Sequence, residues 1–299
     1  MAMTLIFYLA RLFFAVHLWL PLVFYFSPVR KKYANPKYLA TKELKSHFFK
    51  NLLSTYIFIH WFGRFYDKRL SLRNIFNAFY FPLFWTLQDA ATENNENYNE
   101  QLKEIKSDIL LTIVDKNTFE TLVGKVLVAQ KNSMQQLSGD LSMAELACIT
   151  AEKAGYSFLL FASMVNTQLS EDSKQTLYNF GEVLQLADDA LDVYDDSAES
   201  ITTLANSLSL AQFEAYYHEK TQILLSQIKT KELLAITIVC VAIGYVQIDN
   251  LKKLPHQVYL NFPRKQLICD MQKFKFIKAF VKVVYREYKS YSKTLFALK

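Results

Sequence analysis

Six glycines and six prolines are all the strong backbone breakers in a chain of 299 residues. Proline removes a backbone donor and collides with the preceding helical turn, while glycine loses the most conformational freedom on folding. A chain so sparsely punctuated, 52% hydrophobic and holding 24 Phe and 18 Tyr, favours long helices over a strand-rich fold with its many tight turns. The length allows a sizeable core, and neither an internal repeat nor a low-complexity linker divides it. One all-α domain over residues 1–299 is expected, a bundle of about eight to eleven helices.

The most apolar segment, MAMTLIFYLARLFFAVHLWLPLVFYFSP, opens the chain, yet Arg11, His17 and Pro21 interrupt it. A bilayer span needs roughly twenty predominantly apolar residues, and the stretch from Leu12 to Phe26 supplies fifteen. Its aromatic rings and the following Arg30, Lys31 and Lys32 make residues 1–30 read as a helix lying on a membrane surface. A docked core helix and a true span are the alternatives. The basic start and small-residue cleavage site of a secretory signal are missing.

Two or three aromatic-rich helices are expected from Tyr38 to Gln88, with DKRLS, residues 67–71, as a short connection. NNENYN, residues 94–99, reads as an exposed loop or a frayed helix end. Ser142 and Glu145 form a capping-box pattern ahead of an apolar run to about Val165, and Ser170 can cap the next helix. Residues 207–229 and 231–253 read as two further helices, the second almost wholly apolar, with Pro255 as its stop. A last helix is expected over about Arg264–Lys293. Cys148, Cys240 and Cys269 lie far apart with no CxxC and no neighbouring His pair, which argues against a zinc site or a disulfide framework and for a reducing compartment.

Charge is unevenly placed. Residues 251–299 hold twelve Lys and Arg against Asp270 and Glu287, a local net of +10, so the first 250 residues carry −4 of the chain's +6. Such a segment suits a phosphate-bearing ligand or an anionic membrane, and none of the modules that read nucleic-acid bases is present.

The middle of the chain carries GEVLQLADDALDVYDD, residues 181–196, with six acidic side chains in a helical register that otherwise buries leucines. With Gln185 at zero and about 100° per residue, Gly181, Asp188, Asp189, Asp192 and Asp196 all fall within about 60° of it, on one face. Like charges one turn apart repel, and unpaired buried carboxylates cost far more. Something positive is required, and hard divalent cations prefer oxygen ligands. A solvated helix end is the plainer alternative, since SAES follows. Against it, a mid-helix glycine costs about 1 kcal/mol relative to Ala and invites a reason such as close approach by a ligand or another helix.

Gly181-x-x-Leu184-Gln185-x-x-Asp188-Asp189-x-x-Asp192 resembles the second aspartate-rich motif of trans-polyprenyl diphosphate synthases, G-x-x-[FL]-Q-x-x-D-D-x-x-D. Asp192-Val193-Tyr194-Asp195-Asp196 is similar to the D-V-x-E-D ending in squalene and phytoene synthases. Upstream, Lys153-Ala154-Gly155 is similar to the K-T-[GA] element on the preceding helix. The chain therefore resembles the all-α class I isoprenoid synthase superfamily and looks like a divergent bacterial branch of it. That resemblance implies a helical bundle around a central apolar cavity and two or three Mg²⁺ ions held between two facing acidic helices.

The resemblance also implies roles. Asp188, Asp189 and Asp192 would be the principal metal ligands, with Asp188 and Asp192 catalytic. Lys153 would bind diphosphate and Gln185 would orient a metal-bound water or phosphate oxygen. Asp89 and Glu93 in QDAATE resemble a reduced first acidic motif, in which Asp89 would complete the metal site and the catalytic set; an ordinary solvated helix end is the alternative reading of this stretch. Tyr285 and Arg286 resemble the R-Y pair near the end of many terpene cyclases and would contact substrate, while a solvated Arg on an amphipathic helix is the plainer reading. His60, among aromatics in IHWFGR, reads as a core or interfacial histidine. NNENYN stands where chain-elongating synthases carry paired arginines, so elongation is disfavoured.

The expected activity is a Mg²⁺-dependent diphosphate-releasing lyase or transferase that ionises an allylic prenyl diphosphate, followed by cyclisation or prenyl coupling. The alternative is a catalytically impaired protein of the same fold acting as a prenyl-lipid binding or partner subunit. A third, an integral membrane protein spanning at 4–26 and 232–248, leaves the acidic motif unexplained. The expected setting is cytoplasmic, peripheral on the inner face of the membrane and compatible with a homodimer, with no nucleic-acid partner.

Overall fold

The computed structural model describes residues 24–65, 72–93, 97–113, 115–137, 139–165, 169–253, 280–287 and 289–291. All regular structure among them is helical, with no strand. The chain divides into two compact units, one comprising Met1–Glu120 with Phe161–Gln168 and the other Thr121–Leu160 with Leu169–Lys299.

The first unit is built from α1 (Val29–Ala34), α2 (Lys42–Phe65), α3 (Leu72–Glu93), α4 (Asn99–Thr112) and the start of α5 (Lys116–Ser133). The α3 helix is its hub, packed by α2, α4 and α1. Large apolar residues, mostly aromatic, fill the contact of α2 and α3: Phe48, Trp61, Phe62, Phe79 and Leu83 are fully enclosed, and Trp61 stacks on Phe65 at 5.0 Å. A polar clamp closes the periphery, where Lys32 binds Glu104 and Asp108, both at 3.1 Å, and Lys37 binds Glu104 at 3.1 Å. Hydrogen bonds from Tyr38, Lys37 and Lys32 hold the Glu104 carboxyl down to about 2. The DKRLS connection lies outside the described residues.

The second unit centres on α7 (Glu171–Ala198), with α6 (Met143–Val165) as far as Leu160, α8 (Leu204–Ser207), α9 (Leu210–Ser226) and α10 (Lys231–Leu251). The α7 helix packs against α10, α9 and α8. The two expected caps are present: Ser142 and Glu145 satisfy each other's backbone, the Ser142 N–H donating to the carboxylate at 2.8 Å and the Glu145 N–H to the Ser142 hydroxyl at 3.3 Å. Ser170 Oγ accepts from the Ser173 N–H at 3.2 Å. These bonds consume donors that a helix start leaves open.

The helix expected over 231–253 runs over Lys231–Leu251 and the one expected over 207–229 over Leu210–Ser226. Among the described residues, Leu233–Leu251 is the one stretch long and apolar enough to cross a membrane, and 72% of it is buried inside the fold. The Tyr217 hydroxyl donates to the Val241 carbonyl at 2.7 Å. Gly244 gives the Tyr217 ring its room, since a Cβ there would overlap it. The N-terminal segment 1–23, Pro255, Cys269 and most of the helix expected over 264–293 lie outside the described residues.

Candidate functional site

The α6 and α7 helices meet at a glycine contact that sets the rotation of the acidic stripe. A Cβ built on Gly181 would stand 2.5 Å from the Ala154 carbonyl oxygen and 2.9 Å from the Gly155 nitrogen. Gly155 in turn accepts the Tyr178 ring, which a Cβ would meet at 2.5 Å. Edge-to-face pairs extend the contact, Tyr156 with Tyr178 at 5.5 Å and Phe158 with Phe180 at 5.1 Å. The two short motifs of the sequence are thus one packing unit, in which glycine lets one helix backbone touch another. Lys153 sits immediately before that contact.

Two turns further along α7, Asp189 is 6% exposed. Its Oδ1 accepts a hydrogen bond from Gln185 Nε2 at 2.9 Å, while its Oδ2 is buried with no hydrogen-bond partner. Burial pushes the carboxyl up to about 7; the Gln185 hydrogen bond and the Lys153 charge oppose this, and the charges of Asp188 and Asp192 add to it. Asp196 is also pushed up to about 7, by burial and then by Asp189, Asp192 and Asp188, with Lys153 again opposing. Asp188 is exposed and Asp192 half-exposed, so the stripe grades from an enclosed carboxyl to solvent. Gln185, Asp188, Asp189, Asp192, Asp196 and Lys153 therefore form one electrostatic group.

A buried carboxylate oxygen without a donor must be protonated or must meet a cation. Among the described residues no three His, Cys, Asp or Glu side chains converge in the manner of a protein-built metal cage. Mg²⁺ does not need one, because it keeps several waters and typically takes one or two carboxylates plus substrate phosphate. The donor chemistry and the orphaned Asp189 oxygen fit such a water-completed ion.

The remaining expected residues lie on other helices. Asp89 lies on α3 in the first unit, where its Oδ2 is 3.8 Å from His47 Nε2 of α2. One turn back, Asn51 donates to the buried Thr86 hydroxyl at 3.3 Å. Glu93 is the last residue of α3; its side chain, like that of His60, lies outside the described residues, as do residues 94–96 of NNENYN. Tyr285 is 49% exposed. Arg286 donates to Glu287 at 2.7 Å and places its guanidinium 5.8 Å from the Tyr245 ring centroid.

Two features went unforeseen. Glu182, inside the acidic stretch, is 5% exposed and pairs with Lys220 of α9 at 2.8 Å while accepting from the Tyr216 hydroxyl at 3.3 Å. Its partners are more than thirty residues away, so no local pattern marks it. An open polar groove of about 410 Å³, lined by Gly139, Ser197, Ser200, Thr202 and Asn206 among others, lies at the end of α7 and includes none of the expected residues.

No family model matches the chain, no curated protein matches it, and no solved structure matches it.

Proposed function

We propose that the protein is a Mg²⁺-dependent class I isoprenoid synthase that ionises an allylic prenyl diphosphate. The observation that carries this is the enclosed Asp189 carboxyl, one oxygen unpartnered, set within a run of aspartates beside Lys153. Two or three Mg²⁺ ions bound there would supply positive charge to a departing diphosphate.

The chain's own residues then have distinct tasks. Gln185 holds Asp189 by one oxygen and leaves the other for the ion. Asp188 and Asp192, on the more exposed side, offer carboxylates where solvent and a diphosphate can both reach. Lys153 adds a fixed positive charge beside the carboxylates and suits the diphosphate itself. Cyclisation or prenyl coupling would follow in an apolar cavity of an isoprenoid-synthase-type bundle, where aromatic faces stabilise a carbocation. Elongation is disfavoured because NNENYN offers no arginine pair for a second diphosphate. A greasy substrate also favours a cytoplasmic enzyme seated peripherally on the membrane.

Purified full-length protein incubated with Mg²⁺ and allylic prenyl diphosphates of ten to twenty carbons should release pyrophosphate, with the release abolished by chelation. Absence of both release and binding for every substrate would refute the assignment. A second reading, a prenyl-lipid binding or partner subunit without turnover, is favoured by the engagement of Asp89 with His47. Substrate binding without pyrophosphate release would select it.

A further inference from the structure

Residues 280–287 are helical, and their side chains split cleanly into two faces. Val283, Val284, Glu287 and, one turn on, Tyr291 are buried; on a helical wheel they share an arc of about 100°. Arg286 lies at the edge of that arc against Tyr245 of α10, so this face fixes the segment to the second unit. The opposite arc carries Val281, Lys282, Tyr285 and Lys289, all exposed. Val281 is 48% exposed and Tyr285 49%, one turn apart, and the two lysines lie along one side of that pair.

We propose that this face docks on an anionic lipid bilayer. Val281 and Tyr285 would enter the headgroup region, where an aliphatic chain and an amphipathic ring are both favoured, while Lys282 and Lys289 meet lipid phosphates. Charge complementarity selects this partner: residues 251–299 carry +10 and the first 250 residues −4. An anionic surface therefore suits this segment of the chain better than a neutral one. A nucleic acid would use the cations but gains nothing from the exposed Val281, and the chain has none of the modules that read bases. The surface uses none of the α7 carboxylates, so its test is separate from that of the proposed activity.

The test is flotation of the full chain with vesicles of pure phosphatidylcholine and with vesicles of about one-third phosphatidylserine. Stronger capture by the anionic vesicles is expected, and it should be lost in about 1 M salt, where screening acts over about 3 Å. Replacing Lys282→Gln and Lys289→Gln together should weaken anionic binding about 25-fold, at about 1 kcal/mol per basic residue near the surface, and leave phosphatidylcholine binding unchanged. Tyr285→Ser, at an exposed position, should lower anionic binding several-fold. Equal capture by both vesicle types would overturn the proposal, as would unaltered binding by a folded double variant or tighter capture by single-stranded RNA. Should the double variant not fold, the wild-type comparison across lipid charge and salt decides.

Discussion

Gln185 and Asp189, one turn apart on α7, share a single hydrogen bond of 2.9 Å that satisfies Asp189 Oδ1 and leaves Oδ2 buried without a partner. That bond lowers the pKa of a carboxyl which burial has raised to about 7. Gln185→Leu should therefore move the Asp189 titration to still higher pH, and carbon-detected NMR of the side-chain carboxyl reads the shift directly. An unmoved midpoint would mean that Gln185 does not hold this carboxyl in solution.

Stability without divalent cations should depend on the same groups. Asp189 and Asp196 titrate at about 7 in the folded chain against 3.8 for the ordinary carboxyl. Between those values the folded state holds protons that the unfolded chain has released, so stability falls as pH rises from about 4 to about 7. Glu104, held down to about 2, acts in the opposite sense and at lower pH. Urea unfolding across this window should show the decline, Asp189→Asn should flatten it, and Mg²⁺ should restore stability at the neutral end.

Gly181→Ala should destabilise the protein although alanine is the better helix former. The new methyl meets the Ala154 carbonyl, and forcing two helix backbones apart costs roughly 1 to 3 kcal/mol, more than the about 1 kcal/mol regained in helix propensity. A lower urea midpoint with an unchanged slope is the expected result. An alanine variant as stable as wild type would show that the α6 and α7 contact yields easily.

Glu182 and Lys220 form the other test of the α7 environment. The Glu182 side chain is 6% exposed and that of Lys220 26%. Glu182→Ala, which strands the lysine, should cost roughly 3 kcal/mol, while Glu182→Leu with Lys220→Met should recover most of it, because an apolar pair avoids the desolvation that the ions suffer. Chemical denaturation of the single and double variants gives the coupling.

Local signals were legible in the sequence because their physics is local. Ser142 with Glu145 and Ser170 with Ser173 act over three residues, and the structure carries both caps. The aspartate stripe was legible as a face, but its depth was not: Asp188 and Asp189 are neighbours, yet one is exposed and the other enclosed. Helix rotation decides between them, and it is set by Gly181 against Ala154, a contact between segments nearly thirty residues apart. The same distance hid the partners of Glu182 and the pairing of Asp89 with His47, neither of which has a spacing that a sequence pattern could register.

The most direct measurement is calorimetric titration of Mg²⁺ into the full chain at neutral pH with inorganic diphosphate present, for wild type and Asp189→Asn. Wild type should bind Mg²⁺ and release protons as it does so, seen as an enthalpy that varies with buffer, and Asp189→Asn should weaken binding by about tenfold or more. Indistinguishable isotherms for the two proteins, or no Mg²⁺ binding at all, would contradict a cation seat at Asp189.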